Sequence, residues 1–193
     1  FGIHYEFNTT GNQKWAAGLV FAPSLQVNHE NNLTYSNSST SEGVDKSYHS
    51  RTQYLPMHIG TGISMTTERW VVTTDYNYLD WSRNTSSYTS MKYENQHKLN
   101  IGGAYITNPR LPRSTELMGG IGLSNSYINL RGGKMKYLEV SAGASFPIRY
   151  SYLSLGATWR KQINSRSSLM QESRFSMNLN ITFGERISRS KLR

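Results

Sequence analysis

The chain has 193 residues and no cysteine, with a mean hydropathy of −0.59. Those figures exclude disulfides, zinc–thiolate centres and thiol nucleophiles. No run of about 20 consecutive apolar residues occurs, which excludes a bundle of membrane-crossing helices. The net charge of +9 comes without a basic helix or a Lys/Arg cluster interleaved with aromatics ahead of the tail, so nucleic acid is not an expected partner. A membrane β-barrel remains compatible. It needs only every second residue to be apolar, because the other half faces a wet interior. The 13 Tyr and 4 Trp suit the two membrane–water interfaces.

Period-two alternation runs along the whole chain. It begins with Phe1, Ile3, Tyr5 and Phe7 and resumes over 15–28. Leu55, Met57, Ile59, Ile63 and Met65 then oppose His58, Gly60, Gly62 and Ser64. Trp70, Val72, Thr74, Tyr76 and Tyr78 oppose Val71, Thr73, Asp75 and Asn77. Leu99, Ile101, Gly103 and Tyr105 follow, then Leu117, Gly119, Ile121 and Leu123. Leu138, Val140, Ala142, Ala144 and Phe146 alternate with Glu139, Ser141, Gly143 and Ser145. Leu153, Leu155, Ala157 and Trp159 precede the clearest case, Phe175, Met177, Leu179, Ile181 and Phe183 against Ser176, Asn178, Asn180 and Thr182. A helix would scatter these apolar residues around its circumference. The opposite faces carry Gly, Ser, Asn and Thr, the reverse of a soluble sandwich with its large residues inside. The expected fold is all-β: an antiparallel transmembrane β-barrel with about nine strands over 1–184, followed by a basic periplasmic tail over 185–193.

Connections support that orientation. Tight turns are expected near 9–14, 66–69, 108–115 and 147–151, and longer polar loops near 36–47, 82–92 and 164–172. A short hairpin at 131–134 breaks the pattern. Outer-membrane barrels keep short turns in the periplasm and long loops outside, which places the C-terminus in the periplasm and the protein in a bacterial outer membrane. Nine strands then leave Phe1 outside the cell, whereas bacterial single-chain barrels have even strand numbers. The expectation is the C-terminal part of a larger barrel, with an eight-stranded barrel and a miscounted first strand as the alternative.

Charged residues at membrane depth are costly and usually paired inside the lumen. His58, Asp75, Asn77, Glu139 and Arg160 take lumen-facing positions by the alternation, either lining a pathway or holding the wall together. Gly60, Gly62, Gly102, Gly143 and Gly156 also point inward, where they allow an interior segment close approach. Pro23 and Pro56 interrupt strands and mark a bulge or a lateral opening in the wall. Trp15, Trp70, Tyr76, Trp159 and Phe183 are expected in interfacial aromatic girdles, with Trp81 on the inward phase. No enzyme is expected: no Ser/His/Asp set, HExxH or phosphate-binding loop occurs. The five histidines lack metal-ligand spacing, and neither a metal nor a cofactor is implied.

From about Tyr54 onward the chain resembles the FadL/OmpP1/TodX family of outer-membrane transport proteins. The resemblance is carried by ERWVVTTDYNYLDWS, KLNIGGAYITNPR, MGGIGLSNSYINLRG with its return KYLEVSAGASFPI, and the closing LSLGATWRKQ and FSMNLNITFGERI. It implies a 14-stranded barrel, of which this chain supplies the C-terminal portion. The implied function is transport of hydrophobic small molecules such as long-chain fatty acids. A PorV-like member of that family serves protein secretion instead, so a structural or docking subunit of a larger outer-membrane complex is the second expectation. The expected partners are membrane lipids and lipopolysaccharide, hydrophobic cargo and other outer-membrane proteins.

Overall fold

The computed structural model of the chain describes residues 1–9, 13–27, 30–36, 43–49, 53–86, 90–111, 113–130, 133–148, 151–164 and 171–183. Among these residues there is no helix. Strands β1 (Gly2–Thr9) and β2 (Gln13–Ala22) lead into four shorter ones: β3 (Leu25–Val27), β4 (Glu30–Ser36), β5 (Gly43–His49) and β6 (Gln53–Leu55). Then come β7 (Met57–Thr66), β8 (Trp70–Asp80), β9 (Met91–Tyr93), β10 (Gln96–Ile106) and β11 (Glu116–Asn125). The series ends with β12 (Ile128–Leu130), β13 (Lys136–Ile148), β14 (Ser151–Asn164) and β15 (Ser173–Phe183).

Nine of these strands build one sheet in the order β1-β2-β7-β8-β10-β11-β13-β14-β15, every pair antiparallel. They are the nine that the alternation marks out. Successive side chains leave a strand on opposite faces, and the register aligns the apolar ones into continuous rows. One row runs Tyr5, Ala17, Ile63, Thr74, Ile101, Ile121, Val140, Trp159, Phe175. A second runs Phe7, Trp15, Met65, Val72, Gly103, Gly119, Ala142, Ala157, Met177. Trp15 stands beside the first turn, yet this row reaches β15 with Leu179, Ile181 and Phe183 still to follow. That stagger is the shear expected of tilted strands.

The apolar face is turned outward, and no other described residues cover it. Ile121 is 57% exposed and Leu179 64%, and among the described residues Tyr137 is the one buried apolar side chain. A soluble β-protein would show the opposite distribution. Apolar surface on this scale marks a face that meets something other than water.

Among the described residues β1 pairs with β2 alone and β15 with β14 alone, so they form an antiparallel wall of the expected nine strands without closing into a barrel. The two ends of the wall differ. Short connections join β1 to β2, β7 to β8 and β13 to β14 at one end, where residues 107–115 also link β10 to β11. The other end carries the excursions. There β3–β6 and β4–β5 extend β2 and β7 as a long ribbon. Pro23 and Pro56 stand where that ribbon leaves the wall, just beyond the Ala22–His58 pair and before the Leu25–Leu55 pair. Ser24 Oγ bridges the break by donating to the Leu55 carbonyl at 2.8 Å. The prolines therefore bend a hairpin at the rim and leave no lateral gap between β2 and β7. The hairpin expected at 131–134 is likewise the tip of a longer excursion, in which β12 pairs with β9 across two separate loops. The tail over 185–193 lies outside the described residues.

Candidate functional site

The inner face is a polar floor. One row crosses the whole wall: His4, Gly18, Gly62, Asp75, Asn100, Gly122, Glu139, Arg160, Arg174. Three sequence-predicted lumen residues, Asp75, Glu139 and Arg160, thus share one row, although they come from three strands far apart in the chain. The row next to it carries Gly60, Asn77, Lys98, Ser124, Tyr137 and Gln162.

His58, Asn77 and Asp75 form one hydrogen-bonded chain with Asn100, which sequence reasoning missed. A His58 Nε2···Asn77 Oδ1 contact of 2.8 Å starts it. Asn77 Nδ2 then donates to Asp75 Oδ1 at 2.8 Å, and Asn100 Nδ2 donates to the same oxygen at 3.0 Å. Asp75 is the acceptor that holds both amides. A group of this kind is stabilised because a carboxylate oxygen accepts two donors at once. Glu139 and Arg160 are register neighbours, yet no ion pair joins them among the described residues. The Arg160 guanidinium instead lies over the Tyr137 ring, 4.1 Å from its centroid, and Arg160 Nε is buried without a hydrogen-bond partner. Tyr137 and Gln162 beside it are 7% and 4% exposed. This pair of elements, β13 and β14, is the densest part of the wall.

The inward glycines have a specific use. Gly60 faces Asn77, Gly122 faces Asn100 and Gly156 faces Asn178 across the ladder. In each pair the asparagine amide lies flat in the space a Cβ would occupy. At Gly122 that Cβ would stand 2.7 Å from Asn100 Oδ1. Gly122→Ala must push Asn100 off Asp75, and the expected cost is about 1 kcal/mol, one exposed hydrogen bond. In an Asn100→Ala background the same change is expected to cost almost nothing. A denaturant-midpoint cycle in detergent checks this, and additive costs would refute the coupling. Gly143 is different, because its added Cβ would meet the Leu155 carbonyl at 2.9 Å, which is backbone and cannot swing aside.

Trp15, Trp70, Tyr76 and Trp159 all lie on the apolar face of the sheet. At the short-turn end Trp15 stacks on Phe7, with centroids 6.4 Å apart, and Trp70 lies 4.7 Å from Tyr105. Nearer the excursions, Tyr76 OH is 2.7 Å from His97 Nδ1, and Trp159 Nε1 donates to Ser173 Oγ at 3.2 Å. Phe183 closes β15, but its side chain lies outside the described residues. Trp81 does not point into the lumen row. It stacks on Tyr127 at 4.5 Å and Tyr93 at 6.1 Å in the loop region above the wall.

Among the described residues no group of three His, Asp or Glu side chains is placed to hold a metal ion. The floor presents the amides of Asn77 and Asn100 and the carboxylates of Asp75 and Glu139. A family model described as BamG matches residues 1–190. No curated protein matches the chain. The BamG match overturns the resemblance to the FadL/OmpP1/TodX transporters. Period-two alternation with Gly, Ser and Asn on one face is common to outer-membrane strands at large, so the phrases that carried the resemblance reported the environment rather than the lineage.

Proposed function

This chain belongs to the BamG family, and we propose that it is an outer-membrane subunit of a β-barrel assembly (BAM) machinery. The name of the family carries the Bam prefix of that machinery. In this reading the chain is a docking wall and not an enzyme. The observation that supports it is the outward-turned apolar face, with Ile101, Ile121 and Leu179 all exposed, on a sheet whose two edges are both unpaired among the described residues. An apolar outer face over a polar floor is what a membrane-embedded strand set needs. Unpaired edges are where a neighbouring protein can add its own strands or pack its flank. The polar network of Asp75, Asn77, Asn100 and His58 then serves to stiffen the wall.

The test is isolation from the membrane in which the chain resides. A tagged chain released from washed outer membranes in mild detergent is expected to bring down the central assembly barrel in fixed stoichiometry. Recovery in the soluble fraction, or recovery alone from outer membranes, would refute the reading. A partner set made up of secretion components would favour a docking role in a different complex.

A further inference from the structure

On the outer face, at the excursion end, the wall carries a groove of about 950 Å³. Its floor is apolar, made by Leu99 and Leu123 with Tyr76 and Ile163 at the sides. Leu99 and Leu123 are register partners, and both pair onward with residues of the same row, Tyr76 on one side and Leu138 on the other. The rim is basic. Lys134 and Lys136 overhang the floor from the segment that enters β13. Lys161 stands on the same face of β14, opposite Leu138.

The placement of these cations is not diffuse. In the nine strands of the wall the outward-facing lysines are Lys136 and Lys161, both at this end. Lys14 and Lys98 sit on the inward phase, opposite Asn8 and Asn77. The opposite end of the outer face is aromatic instead, with Phe7, Trp15, Trp70 and Tyr105. Two carboxylates lie by the groove: Glu94 Oε2, 3.6 Å from Lys134 Nζ, and Glu172, which is hydrogen-bonded to the lining residue Tyr137. Glu94 Oε1 is already taken by the Asn129 amide at 2.6 Å. The rim keeps a net positive charge, and Lys136 has no carboxylate partner among the described residues.

We propose that this groove binds lipopolysaccharide, with acyl chains along Leu99, Leu123 and Ile163 and a lipid A phosphate held by Lys134, Lys136 and Lys161. An apolar floor continuous with the membrane-facing rows requires a ligand with a hydrocarbon part, and the basic rim above it requires an anionic head. Long excursions mark the outside of an outer-membrane wall, and phosphorylated glycolipid is the anionic lipid of that leaflet. The inference rests on the outer-membrane reading given above. A lysine at a membrane surface adds about fivefold in affinity for an anionic lipid.

Native mass spectrometry of the full chain, released from outer membranes in mild detergent, reads the site. The wild type is expected to retain an adduct with the mass of lipopolysaccharide or its lipid A. Lys136→Ala and Lys161→Ala are each expected to lower its occupancy about fivefold, and Lys98→Ala on the inner face is expected to leave it unchanged. Leu123→Trp, which fills the floor with charge unaltered, is expected to remove the adduct as well. Heat-modifiable migration on gels shows which variants are folded, and occupancies are compared among those alone. Equal occupancy in all variants, no adduct on the wild type, or adducts of glycerophospholipid alone would overturn the site. If the chain is not recovered from outer membranes, the reading of function fails by itself. Purified lipid A added to the detergent-solubilised chain then still tests the groove through the same variants.

Discussion

Ile121→Arg is expected to destabilise the protein in lipid vesicles by about 2–4 kcal/mol, the cost of a cation on the lipid face near mid-membrane. Ile121 lies in the row between Tyr5 and Phe175 and is 57% exposed, so none of the described residues could shelter the guanidinium. The control is Ser141→Arg, one strand away on the inner face, opposite Gly120 and Thr158. There the added side chain points to the polar floor, and a change within about 0.5 kcal/mol is expected. Denaturant unfolding from vesicles measures both. Equal small costs would mean that the apolar rows meet water or protein and not hydrocarbon, and the membrane reading would go with them.

Tyr137→Ala is expected to cost about 3 kcal/mol or more, the range for truncating a buried aromatic side chain. Two effects point the same way. The ring is 7% exposed in the most densely packed part of the wall, and it is the face on which the Arg160 guanidinium rests. Without the ring, a partly buried cation whose Nε has no partner loses its cation–π contact, which contributes about 0.5–2 kcal/mol. Tyr137→Phe separates the ring from its hydroxyl. It gives up a long hydroxyl–sulfur contact of 3.8 Å to Met135 and the hydroxyl's hydrogen bond with the Glu172 carboxylate, so a loss of about 1–2 kcal/mol is expected. If Phe were as damaging as Ala, the hydroxyl would be the essential group and the stacking account of Arg160 would be wrong. Thermal or denaturant midpoints of the two variants, side by side, decide it.

The nine wall strands were legible because alternation is a property of each strand alone. Phe175 to Phe183 announces its own two faces without reference to any neighbour. Register is not such a property. A shift of one residue between β10 and β11 would leave both alternations intact in sequence, but it would move Asn100 away from Gly122 and turn one face over. That is why Asp75 and Asn77 could be placed on the inner face, while their link to Asn100 could not. The Tyr137–Arg160 pair hides for a related reason. The register shifts between Lys136 and Tyr137, and a pattern of strict period two cannot encode a bulge. The short strands β9 and β12, three residues each, carry too few positions for any period to show. Function was least legible. The apolar and polar faces report a two-sided β-wall, and many lineages with different tasks share that architecture.

Strands β9 and β12 have a mechanical consequence. They belong to different loops, one between β8 and β10 and the other between β11 and β13, yet they pair over three residues. The Trp81–Tyr127–Tyr93 stack and the 2.6 Å Asn129–Glu94 hydrogen bond join the same two loops. Neither loop can swing out without tearing the other loose, so the pair opens or closes as one cooperative unit. The rim above β10 and β11 behaves as a clasp, and whatever docks on either loop pulls on both.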